Sequence, residues 1–172
     1  IIAIGDSALH KNGVGGDSAS FYSSNVNIAV GNKAMYDNTT GINNTAVGHM
    51  TLPHNTTGRQ NVAVGHVNLY ENTSGSGNTA IGDNVLYSNN GNNNTAVGIA
   101  AHLHNTTGNA NVAVGAYALY AGSEQNNLVA IGDSALFNNG KDASVPGHAS
   151  GNTAIGSKAM FSNTTGSSNT AL

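Results

Sequence analysis

The sequence has no cysteine and no tryptophan, and charged residues fill only 8% of its 172 positions. Without cysteine, a disulfide framework is excluded. Its apolar runs are a few residues long, far short of the roughly 20 that a membrane-spanning helix needs, so we expect no membrane insertion of this segment. The net charge is −3 and the five basic residues are scattered, which excludes the basic stripe of a nucleic-acid-binding protein.

What the sequence does have is a short motif, Ala-Val/Ile-Gly, that returns about every 17 residues. The glycines of its nine complete copies are Gly5, Gly31, Gly48, Gly65, Gly82, Gly98, Gly115, Gly132 and Gly156. A period of this length is too short for the helical repeat families and indicates a solenoid, in which each coil stacks on the one before.

Each copy of the motif predicts a β strand. The residue three before the glycine is β-branched, as is the residue directly before it, and β-branched side chains favour strands. Alanine always lies between them, so one face of the strand carries bulk and the other only methyl groups. We predict that the alanine and the Val or Ile are both nearly fully buried, with a close neighbour against the alanine. The structural ladder of the five central copies comprises Ala46, Val47, Gly48, Ala63, Val64, Gly65, Ala80, Ile81, Gly82, Ala96, Val97, Gly98, Ala113, Val114 and Gly115.

The remainder of the repeat predicts a second short strand and a turn. Residues 34–36 and 85–87 show the Ala/Val-Leu/Met-Tyr pattern of the second strand, and residues 55–58 show the Asn-Thr-Thr-Gly turn, whose glycine permits positive φ. Stacked coils would lie ~4.8 Å apart. We therefore predict an all-β parallel β-solenoid of about ten 17-residue coils over residues 1–172. We expect it to be one segment of a longer chain, with loop insertions near residues 11–25 and 141–150.

The repeat Asn-Thr-Ala-Val-Gly-x-x-Ala-Leu-x-x-Asn-Thr-Thr-Gly resembles the head repeats of trimeric autotransporter adhesins. It is more similar still to the repeats of phage-type tail fibres, and the resemblance covers nearly the whole chain outside the two insertions. It implies a left-handed β-roll in a side-by-side homotrimer, located outside the cell on a cell surface or a virion. The implied function is structural and non-enzymatic, as a rod and an attachment surface for a host glycan or protein.

Two alternative functions remain open. Some β-solenoids bind ice through flat threonine ladders, but here threonine alternates with valine along the strand column. The Asn-Thr-Thr column is also broken, at Asn90, Ser123 and Gly140. A carbohydrate-binding or carbohydrate-cleaving tail-spike segment is the other alternative. Cleavage needs two carboxylates ~5–10 Å apart, whereas Asp83 and Asp133, which share one repeat position, belong to coils several steps apart. No catalytic residue or cofactor is predicted.

Histidine and aromatic residues supply the remaining candidates. His102 and His104 would lie on one side of an extended strand, and three such pairs around a trimer axis could give six nitrogens to one transition-metal ion. The motif occurs once and His102 holds a Leu or Met position, so no metal is predicted, and this pair is the only candidate. The aromatic column could stack sugars, but packing is favoured because it adjoins the leucine column. Its members are Tyr36, Tyr70, Tyr87, Tyr120, Phe137 and Phe161.

Overall fold

A computed structural model describes residues 1–13, 26–141, 145 and 147–172, so most of the first predicted insertion and part of the second lie outside the described residues. All of the regular structure described consists of β strands, one for each copy of the motif. The strands are β1 (Ile2–Ile4), β2 (Ile28–Val30), β3 (Thr45–His49), β4 (Val62–His66), β5 (Thr79–Asp83), β6 (Thr95–Val97), β7 (Val112–Val114), β8 (Val129–Ile131), β9 (Thr153–Ile155) and β10 (Thr170–Ala171). In the described part of the chain there is no apolar helix of membrane-spanning length.

The ten strands form one sheet in chain order, and every neighbouring pair is parallel. The register is that of the repeat, with Ala46 opposite Ala63, and Gly48 opposite Gly65. The predicted parallel β-solenoid and its in-register stacking are therefore confirmed. About eight turns are formed, slightly fewer than the ten coils predicted.

The predicted second strand is wrong. Residues 34–36 and 85–87 form turns, in which Met35 and Leu86 have φ angles of 49° and 50°. Val85 and Leu86 are both fully buried. Consecutive residues of a strand point to opposite faces, so a strand could not bury both. The turn conformation buries both side chains and thereby brings the leucine column into the interior.

The interior is formed by each coil's own alanine and leucine. Ala46, Ala63 and Ala80 are fully buried and belong to one apolar core with Leu52 and Leu69. This confirms the predicted burial of the alanine column. The close neighbour of each alanine lies within the same solenoid, so the column does not supply a contact between chains.

The predicted burial of the Val and Ile column is wrong. In β5 and β7, Ile81 is 40% exposed and Val114 is 36% exposed, while Val47 and Val64 are half-buried. Strand residues alternate between faces, so burial of the central alanine turns both of its neighbours outward. At this strand position the interior therefore receives only the methyl group of alanine.

Two columns of asparagine complete the interior. In the first, the backbone N–H of Asn61 donates to Asn44 Oδ1 over 2.9 Å, and Asn44 Nδ2 donates to a carbonyl oxygen over 2.8 Å. In the second, Asn55 Nδ2 donates to Asn38 Oδ1 over 2.8 Å. Wherever the columns are continuous, these amides satisfy buried polar groups from coil to coil. The fully buried members are Asn27, Asn38, Asn44, Asn55, Asn61, Asn72, Asn78, Asn89, Asn94, Asn105, Asn111, Asn139 and Asn152.

The two glycines of the repeat have different roles. Gly48 has a φ of 129°, which side-chain-bearing residues rarely adopt. Gly58, at the end of Asn-Thr-Thr-Gly, does not have positive φ, contrary to the prediction from turn chemistry. A Cβ there would collide with the side-chain oxygen of Asn55 and with the carbonyl oxygen of Gly75. This second glycine is therefore required for space, since the asparagine ladder lies against it.

Candidate functional site

The first candidate site is the outward face of the sheet. The outer residues of each three-residue strand core are Thr, Val or Ile, and none is charged. Nine intervals of ~4.8 Å make this face ~43 Å long. The exposed apolar members on the side nearer the glycine include Ile4, Ile81, Val114, Ile131 and Ile155. A contiguous apolar stripe of this length marks an interaction surface more often than a solvated one.

The second candidate site is the aromatic column, whose rings stack on one another along the rod. The ring centroids of Tyr70 and Tyr87 lie 5.0 Å apart with an interplanar angle of 12°, and those of Tyr120 and Phe137 lie 4.9 Å apart at 6°. Phe161 extends the second stack at 5.0 Å. The packing interpretation is supported within the chain, because the rings cover each other's faces and leave their edges toward solvent.

A small polar cluster borders this column. Asp37 accepts from Lys11 Nζ at 2.8 Å, and its other oxygen lies 2.9 Å from His54 Nδ1. Partial burial raises the pKa of Asp37, but the hydrogen bonds from Lys11 and His54 outweigh that effect and hold the pKa below its usual value. The carboxyl group is therefore an ionised hydrogen-bond acceptor at neutral pH, tied to two basic side chains.

Two further acidic side chains, Asp83 and Asp6, have basic or amide partners as well. Asp83 lies 2.8 Å from His66 Nδ1 and accepts from Asn84 Nδ2 at 2.8 Å, and Asp6 accepts from Asn32 Nδ2 at 3.1 Å. In the described part of the chain, no three His, Cys, Asp or Glu side chains converge as a metal site would require. These contacts link side chains on the coil surface, so they account for these acidic residues without a bound metal or a catalytic role.

The candidate pair His102 and His104 is not brought together. No strand forms there, and His102 has a φ of 51° in a turn. His102 is 1% exposed and lies in the interior, in the position that leucine holds in other coils, whereas His104 is on the surface. His104 packs edge-on against Tyr120, with ring centroids 4.9 Å apart. The premise of two imidazoles on one side of a strand is therefore wrong.

His102 belongs instead to a polar defect in the interior. Gly122 stands where the second asparagine column would have its next member, so Asn105 Oδ1 loses the amide donor found in other coils. Asn105 Oδ1 and His102 Nδ1 are buried atoms without a hydrogen-bond partner. The Gln125 side chain fills part of the gap, and its Oε1 accepts from the backbone N–H groups of Ser123 and Glu124. Burial lowers the pKa of His102 from 6.5 to about 3.

Both substitutions that produce the polar defect could have been found from the sequence. The Asn-to-Gly change at position 122 and the Leu-to-His change at position 102 are visible as breaks in the repeat, in neighbouring coils. The sequence could not show that the two positions meet inside the solenoid, because this requires knowing that the leucine column and the second asparagine column both point inward. The predicted ladder residues do occupy equivalent positions of successive coils, with the alanines inside and the Val and Ile residues outside.

Comparison with protein-family models, with curated proteins and with solved structures found no match to this chain.

Proposed function

We propose that this chain is a structural, non-enzymatic segment of an extracellular fibre or adhesin, and that three copies associate side by side through the outward sheet face. The observation that carries the proposal is the uncharged Thr, Val and Ile face, which runs along the whole described sheet and is left uncovered by the single chain. The repeat's resemblance to fibre and adhesin sequences supports the extracellular setting.

The energetics of a single coil favour association. The interior of each coil holds mainly an alanine and a leucine, because β-branched bulk is turned outward. Burying one Val or Ile side chain contributes about 1.5–3 kcal/mol, and ordering the backbone of each residue costs about 1–2 kcal/mol. Covering the outer Val and Ile column in an assembly adds burial at every coil without ordering further backbone. A rod that repeats this gain along its length suits a fibre.

The test is the oligomeric state of the purified chain by light scattering. We expect a trimer, and we expect the double variant Ile81→Lys, Val114→Lys to yield folded monomers, since two charges on the sheet face would be buried without partners. The matched control is Thr57→Lys, Thr107→Lys, which adds the same charge in exposed turns and should remain trimeric. A wild-type chain that is monomeric, with the strand spectrum intact, would rule out the proposed association.

Ice binding is a second candidate, favoured by one specific observation. The outward face is an in-register array in which Thr45, Thr79, Thr95 and Thr153 share one column with valines such as Val62, and Val or Ile fills the other column. An ice-binding protein would use this face as a monomer and would show thermal hysteresis. In that case Ile81→Lys, Val114→Lys would abolish the hysteresis without changing the molecular mass, which distinguishes the two functions.

A further inference from the structure

The aromatic column is interrupted at two described positions inside it, and a surface groove lies at each. Pro53 stands between Tyr36 and Tyr70, and Leu103 stands between Tyr87 and Tyr120. The groove at Pro53 has a volume of about 280 Å³, and the groove at Leu103 about 440 Å³. We call them the Pro53 notch and the Leu103 notch. Each exists because a smaller side chain replaces a ring.

The two notches share one local design. The residue after the interruption is histidine in both, and its imidazole packs edge-on against the tyrosine of the next coil. The centroid distances are 4.9 Å for His54 with Tyr70 and 4.9 Å for His104 with Tyr120. Each notch thus has an aliphatic floor, a ring and an imidazole in its wall, and both lie on the same column.

Hydrogen-bonding groups surround this apolar surface. Asn84, Ser88 and His104 line the Leu103 notch, which has no charged lining residue. Lys33, Asp37 and His54 line the Pro53 notch. The charges of Lys33 and Asp37 are opposite in sign, and Lys11 and His54 bind the Asp37 carboxylate. Small-molecule sites characteristically combine aromatic and aliphatic walls with a few convergent polar groups. An uncharged ligand with one apolar face and a hydroxyl-bearing edge matches this combination, because the aromatic walls favour C–H contact and the rim offers donors and acceptors.

We propose that the two notches bind neutral pyranose units of a glycan. The C–H face of a sugar ring packs against tyrosine and against the Leu103 or Pro53 side chain, and its hydroxyl groups bond to the polar rim. The notches are three coils apart, ~14 Å along the rod at ~4.8 Å per coil. One polysaccharide chain lying along the column can therefore occupy both, which raises the overall affinity without any new contact. The inference rests on the attachment role within the proposed function.

The experiment fills the notches instead of removing their walls. The double variant Pro53→Tyr, Leu103→Tyr completes the ring column, so it should fold at least as well as the parent chain. The probes are cellohexaose, mannohexaose and chitohexaose, with sialyllactose as a charged comparison. Binding is followed by the NMR signals of the tyrosine rings, which the parent chain and both variants carry. The matched control is Thr57→Tyr, Thr107→Tyr, which adds two rings in exposed turns.

We expect at least one neutral hexasaccharide to bind the parent chain and the control, and to bind the filled variant at least tenfold more weakly. The proposal is overturned if none of the neutral hexasaccharides binds, or if the filled variant binds as well as the parent. It is also overturned if filling the notches changes the oligomeric state, because the notches would then be contacts between copies. Light scattering on the same samples separates this result from the trimer proposal: monomers that bind sugar contradict only the trimer.

Discussion

At the scale of single residues, leucines in the left-handed backbone region distinguish this coil from an ordinary strand. Leu52, Leu69 and Leu86 have φ angles of 51°, 50° and 50°. A bulky residue is unfavourable there and usually marks strain or function. Here the conformation is repeated coil after coil because it places leucine in the interior directly after another buried residue. Propensity alone favours a strand at this point, so the turn could not be predicted from residue type.

His102 makes the stability of the chain depend on pH. Its pKa is about 3 in the folded chain and about 6.5 when unfolded. Between these values the unfolded chain binds a proton that the folded chain does not. The contribution of neutral His102 is thus fully present above pH 6.5 and is lost as the pH falls toward 3. The loss is about 1.4 kcal/mol for each pH unit.

The variant His102→Leu should remove that dependence, since leucine occupies this position in neighbouring coils. Urea unfolding at pH 6 and pH 4 should show the parent chain losing roughly 3 kcal/mol relative to the variant. His104→Gln, which changes a surface imidazole two residues away, is the control and should follow the parent. If the parent and His102→Leu curves run parallel over this range, His102 is not buried as described.

At the scale of elements, strand position and register could be read from the sequence, but the orientation of the strand could not. The motif gives the alternation around Ala46 and Ala63, and the constant spacing gives the parallel pairing. Alternation defines two faces without saying which one is inside. The larger side chain of Val47 favoured its burial, yet the strand directs Ala46 into the interior and Val47 outward. The Val and Ile column, the candidate interface, was therefore predicted as core, whereas the alanine column was correctly predicted to have a close neighbour.

The asparagine columns run from coil to coil, and replacing Asn72 measures what they contribute to the stability of the fold. Asn72 Nδ2 donates to Asn55 Oδ1 at 3.0 Å and to Gly75 O at 3.1 Å. Asn72→Ala leaves these buried acceptors short of a donor, which should cost about 1–3 kcal/mol of unfolding free energy in urea. Ser88→Ala, a half-buried change outside the columns, should stay within about 0.5 kcal/mol. Equal effects of the two variants would mean that the columns contribute nothing beyond ordinary surface contacts.

At the scale of the whole molecule, the coils are interchangeable in register. Asn78 occupies the position of Asn61, and β5 pairs with β4 as β4 pairs with β3. Deleting residues 61–77 joins Gln60 to Asn78, an asparagine again, and keeps every column continuous. Small-angle scattering should show a folded rod shorter by ~4.8 Å. A deletion of residues 61–70 alone breaks the columns and should unfold or misassemble. An unfolded product from the full-unit deletion would show that the coils are not equivalent.

The orientation of the hydrogen bonds determines how such a rod responds to tension. Hydrogen bonds between coils, such as Leu52 N–H to Asn68 O over 3.0 Å and Val62 N–H to Asn78 O over 2.8 Å, run along the rod. A pull along the axis therefore loads the coils in series, and the terminal coil peels before the others. Each detached coil releases a chain of 17 residues that can extend to about 60 Å, in place of ~4.8 Å of rod. Each coil thus holds extra chain length in reserve, and the solenoid lengthens in steps under force without breaking a covalent bond.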